Sequence, residues 1–110
     1  MRKAEVHLRG RLAGILEERD IGYAFTYDQS YLNSEHAVPI SLSLPLQAES
    51  YTDKRLFPFF DGLIPEGWLL DIAEQTWKLN SRDRMGLLLA CCRDCIGAVS
   101  IIAVEGDDHE

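Results

Sequence analysis

The sequence predicts an α+β domain: a small, mainly antiparallel β-sheet with two helices packed on one of its faces. Three observations carry this. Residues 3–27 hold three short segments of strand character, separated by glycine-containing turns. From about residue 66 the apolar spacing lengthens from 2 to the helical 3.6. A last apolar run, 96–104, returns to strand character. Strands and helices that are grouped rather than interleaved favour a sheet covered on one side.

In KAEVHL (3–8), Ala4, Val6 and Leu8 share one face, which predicts a strand. Arg9-Gly10-Arg11 reads as a turn. Leu12–Glu18 reads as a second strand with a bulge at Gly14. After the turn Asp20-Ile21-Gly22, Tyr23, Phe25 and Tyr27 alternate with Ala24 and Thr26, a third strand with an aromatic face. The spacing is that of an antiparallel meander. Asp28–Ala37 is polar and predicts a loop or one helical turn.

VPISLSLPL (38–46) places Val38, Ile40, Leu42 and Leu44 on one face and the serines on the other. Pro39 and Pro45 bracket it, so a short edge strand is expected. Residues 46–53 read as an exposed loop. In a helix over about 66–78, Leu69, Ile72, Ala73 and Thr76 form the apolar stripe, with Trp68 on one flank near Asp71 and Gln75. Ser81 is a candidate N-cap for a second helix whose stripe is Met85, Leu88, Leu89 and Cys92. Leu87 and Cys91 widen that stripe, so this helix is expected to be well buried. The run 96–104 suits a central strand.

The chain has 110 residues, which sets a single domain (1–104) followed by an acidic tail (105–110). No run of about 18 apolar residues exists, and no apolar h-region follows the basic start, so neither a membrane span nor a secretory leader is expected and the cytoplasm is the default. Net charge is −7; without residues 105–110 the balance is 11 basic to 14 acidic residues. Neither figure fits a protein that binds nucleic acid by neutralising phosphates.

Catalytic and metal chemistry is not assembled. Cys92-Arg93-Asp94-Cys95 is a C-x-x-C, but no second Cys pair or close His pair completes a zinc set. A redox pair should open a helix, where the dipole lowers a thiol pKa; this one falls where a helix ends. Structural thiols are expected. His7, His36 and His109 are scattered, and no G-x-S-x-G elbow or glycine-rich phosphate loop occurs. Asp61 and Glu66 flank a turn, where capping is expected rather than acid–base work. The chain is expected not to be an enzyme and to need no cofactor or metal.

Three stretches in order, VPISLSLPL (38–46), FFDGLIPEG (59–67) and RDCIGAVSI (93–101), resemble the N-terminal subdomain of HipA-like serine/threonine kinase toxins. The resemblance runs from the first strand to about Val104. It implies a kinase context while this chain carries none of the kinase's nucleotide-binding or catalytic parts. The sequence begins at Met1 and closes in its own acidic tail, which reads as a small stand-alone product. In tripartite HipBST systems of this family, a small protein resembling the subdomain acts as antitoxin beside a shortened kinase and a helix-turn-helix HipB-like repressor. The resemblance therefore implies binding to a shortened HipA-like kinase, with the repressor in the same complex.

Trp68 fits two roles, lining its own domain or anchoring an interface. The expectation adopted is the second. The segment FFDGLIPEGW (59–68) projects into the kinase with Trp68 as a plug, Ile64 and Glu66 at the rim and Asp71 beside Trp68. Phe59, Phe60 and Leu63 are assigned to the domain's own core. A non-inhibitory structural module of a HipA-like kinase is the alternative, and a small redox or metal protein using Cys92 and Cys95 a third reading.

Overall fold

Two tight turns set the sheet. Between the first two strands, Arg9 has φ 53° and Gly10 φ 83°. Two successive left-handed residues give the turn whose twist matches a β-hairpin. After the second strand Gly22 has φ 96°, and a Cβ there would lie 2.1 Å from the Asp53 carbonyl oxygen. No other residue type fits that approach.

The computed structural model describes residues 2–64, 84–91 and 99–104. Its elements are β1 (Lys3–Leu8), β2 (Arg11–Arg19), β3 (Gly22–Tyr27), α1 (Gln29–Leu32), β4 (Tyr51–Asp53), α2 (Pro58–Asp61), α3 (Arg84–Cys91) and β5 (Val99–Ala103). The five strands lie in the order β4-β3-β2-β1-β5, every pairing antiparallel. Val6 faces Gly14 but His7 faces Leu12, so Ala13 is the extra residue of a bulge, next to the expected Gly14.

The meander, the buried face of β1 and the single turn after Asp28 are as the sequence predicts. Ala4 and Val6 are fully buried, and Leu8 packs against the core. The Asp28 carboxylate accepts from the Tyr31 N–H at 3.1 Å and caps α1. On the outer face His7 Nε2 lies 2.9 Å from Glu5 Oε1, and Lys3 faces Glu17 across the hairpin. The inner face is aromatic. The Phe25 ring meets Tyr27 edge-on at 4.9 Å and Phe60 at 5.4 Å. Met85, Leu87 and Leu88 of α3 are fully buried over the same core. Each such large side chain contributes about 1.5–3 kcal/mol by leaving water.

Three expectations are corrected. Residues 38–46 form no sheet strand: Leu44 N donates to Ser41 O at 3.1 Å, which closes a tight turn. The turn breaks the alternation, so Ile40 and Leu44 are buried while Val38 is 49% and Leu42 99% exposed. The loop expected over 46–53 instead supplies β4, with Tyr51 paired to Phe25. The last strand lies at an edge of the described sheet, not at its centre, and its Ile102 is 36% exposed. Among the described residues β5 pairs with β1 alone, and α3 packs against it. The helix expected over 66–78, the Ser81 cap and the C-x-x-C lie outside the described residues.

Candidate partner-binding site

FFDGLIPEGW is described as far as Ile64. Phe57 precedes α2 and Pro58 opens it, where a proline loses no hydrogen bond. Asp61 N and Gly62 N donate to Phe57 O and Pro58 O, each at 2.9 Å; Leu63 N and Ile64 N then bond three residues back. This tightened turn points Phe60 and Ile64 inward. Phe60 is fully buried, in contact with Phe25, Phe57 and Phe59. Phe59 and Leu63 pack against the same core, as assigned.

Ile64 is 3% exposed. Its expected place at a rim is therefore corrected: the side chain is a core residue that fixes where the chain leaves α2. Trp68, Glu66 and Asp71 lie outside the described residues.

Asp61 turns outward. Its Oδ1 accepts from Arg84 Nε at 2.7 Å, which ties α2 to the start of α3. Beside this pair lies a cleft of about 400 Å³ lined by Tyr23, Lys54, Arg55, Leu56, Asp61 and Arg84. Three cations face one carboxylate there, on a chain of net charge −7. Among the described residues its charge balance is basic, and no histidine, cysteine or serine lines it. No cluster of His, Cys, Asp and Glu able to hold a metal occurs among the described residues.

The loop 38–45 is held by three phenols. Tyr27 OH donates to Leu44 O and accepts from Ile40 N at 3.0 Å. Tyr31 OH donates to Val38 O at 2.7 Å and accepts from Val38 N at 3.2 Å. Tyr51 OH donates to Pro45 O at 2.6 Å. Burial pushes the Tyr27 phenol above its ordinary pKa of 10.0, partly offset by the Ile40 N–H, with Tyr51 and Tyr31 adding small repulsions. Sequence reasoning missed this clamp. The available signal was chemical: a buried phenol on an inward strand face needs a partner for its hydroxyl. The Asp61–Arg84 pair left no signal, being 23 residues apart.

The sequence profile described as "HipA N-terminal domain" matches residues 4–102. The chain belongs to the HipA N-terminal domain family. A solved structure titled "N-terminal domain of HipA toxin" superposes with a TM-score of 0.75 at 29% identity, covering 97% of this chain and 96% of that one. An uncharacterized protein of Haemophilus influenzae is 33% identical over 101 residues, 92% of each chain. The "Putative kinase Y4mE" of Sinorhizobium fredii is 29% identical over 102 residues; the match spans 92% of this chain but only 24% of that protein. This HipA N-terminal-like domain thus aligns with about a quarter of one relative and nearly all of another. No described helix is long and apolar enough to cross a membrane.

Proposed function

We propose that this chain is a cytoplasmic, non-catalytic antitoxin of the HipS type, which binds and neutralises a separate, shortened HipA-like serine/threonine kinase. One observation carries the reading. The family domain fills residues 4–102 here and corresponds to about a quarter of a relative named as a kinase. A domain that can be one part of a larger kinase-named protein has faces shaped to meet the rest of it. Supplied as its own chain, it binds the same body in trans. The Haemophilus relative, matched over 92% of its length, supports a stand-alone form.

In this reading the 59–68 segment is the inhibitory element. Phe60 and Ile64 root it in the core, and Trp68 enters the kinase near its active site, with Glu66 and Asp71 beside it. A HipB-like repressor completes the complex and supplies the DNA contact; this acidic chain makes none. Co-expression tests it. The kinase alone should arrest bacterial growth, and this chain should restore it. Trp68→Ala should lose most of the rescue, because a central aromatic anchor is worth about 2 kcal/mol or more when truncated.

The match to one segment of Y4mE also favours a second reading, a structural module that the kinase needs for activity. In that case the chain would leave growth arrest unchanged or be required for it.

A further inference from the structure

The loop 38–45 combines two features that usually exclude each other. It is immobilised by five hydrogen bonds from Tyr27, Tyr31 and Tyr51. Yet it holds Leu42 99% exposed and Val38 49% exposed. A scattered surface leucine is ordinary. Here, however, the backbone on either side of Leu42 is already tied to the domain, so the loop loses less freedom on binding than an untethered one.

A second observation gives the partner's charge. Val38 borders a hollow of about 160 Å³ whose other walls are Leu8, Arg9, Arg11, Tyr31 and His36. Among the described residues no carboxylate lines it. Arg9 and Arg11 have no carboxylate partner among the described residues, and the Arg11 guanidinium lies over the Tyr31 ring at 5.2 Å. The phenol under Arg11 is the one that grips Val38. Val38 therefore belongs both to the basic hollow and to the gripped loop, in a chain whose net charge is −7.

We propose that this surface is a second docking site for the kinase body: Leu42 seats in an apolar recess, and carboxylates of the kinase lie against Arg9 and Arg11. The proposal rests on the antitoxin reading and deepens it. The occupant is argued from the basic hollow, which calls for acidic groups, and from the Y4mE comparison, in which about three quarters of a kinase-named protein lies outside the matched domain. The site draws on no residue of the 59–68 segment and governs affinity rather than inhibition.

The test is calorimetric titration of the shortened kinase with the full chain at low and high salt. Leu42→Asp and the double variant Arg9→Glu/Arg11→Glu are each expected to weaken binding about tenfold or more, as for a desolvated anchor or a reversed charge pair. The wild-type affinity should fall with salt and the double variant's should not. Both variants should keep the wild-type circular dichroism, since the altered side chains are exposed. Wild-type affinity in both variants overturns the proposal while leaving the antitoxin reading intact. Loss of repressor binding with kinase binding unchanged also overturns it. If the wild-type chain fails to bind the kinase at all, the antitoxin reading falls and takes this site with it.

Discussion

Two segments without sheet structure pack against the inner face of the sheet, and they are fixed by different means. Segment 57–64 is held by what its side chains bury: Phe57, Phe60 and Ile64 are all under 7% exposed. Segment 38–45 buries Ile40 and Leu44, but its backbone is also gripped by three tyrosine hydroxyls. The first mode uses apolar area, which is tolerant of small shifts. The second adds directed bonds, which fix the backbone while Val38 and Leu42 face outward. That difference explains how Leu42 can be both rigid and exposed, whereas Ile64 cannot.

The largest expected effect is on the packed segment. Phe60→Ala should cost about 3–5 kcal/mol, read as a lowered urea midpoint. That is much of the total stability of an ordinary domain, about 5–15 kcal/mol. A loss below about 1 kcal/mol would break the contrast, because segment 57–64 would then not depend on its aromatic root.

Next comes the gripped segment. Tyr27→Phe removes the partner of the Ile40 N–H and the Leu44 carbonyl, both on buried residues, and should cost about 1–3 kcal/mol. Hydrogen exchange should accelerate at Ile40 more than in β2. The same phenol gives a pH signature. Its folded pKa lies above 10.0, so the folded state keeps a proton that the unfolded state releases. The unfolded state then binds fewer protons, and stability falls as pH rises from about 10 upward. Tyr27→Phe should flatten that alkaline fall. An equally steep fall in the variant would show that other groups carry it.

The smallest effect belongs to the surface pair. Asp61 and Arg84 side chains are 43% and 34% exposed, so Asp61→Asn should change stability by less than about 1 kcal/mol. A larger loss would mean that the link from α2 to α3 matters as much as the core beneath it.

The same contrast separates what was legible in the sequence from what was not. Apolar periodicity reports side-chain burial, so the β1–β3 meander, the buried face of α3 and the core role of Phe60 could be read directly. In VPISLSLPL, periodicity predicted four side chains on one face. The backbone instead turns at Ser41–Leu44, and Ile40 and Leu44 go in while Val38 and Leu42 go out. The forces responsible are bonds from Tyr27, Tyr31 and Tyr51, and no spacing rule within the loop contains them. At the candidate site the aromatic root was readable. Ile64 was not, because its direction is set by the tightened turn after α2 rather than by a helical repeat.

The approach of Gly22 to Asp53 carries a consequence for length variation. Strand β4 has only three residues, and its alignment is set by a notch that one missing side chain creates. Tyr51, two residues before the notch, reaches back to Pro45. The stretch 47–50 between these fixed points lies outside the sheet and its bonds are exposed ones, Gln47 to Glu49 and Ser50 to Thr26, so an added residue is absorbed at small entropic cost. One residue inserted between Tyr51 and Asp53 would turn Tyr51 to the opposite face of the sheet. The grip on Pro45 would then be lost at a distance, and related chains should differ in length on one side of Tyr51 and hardly at all on the other.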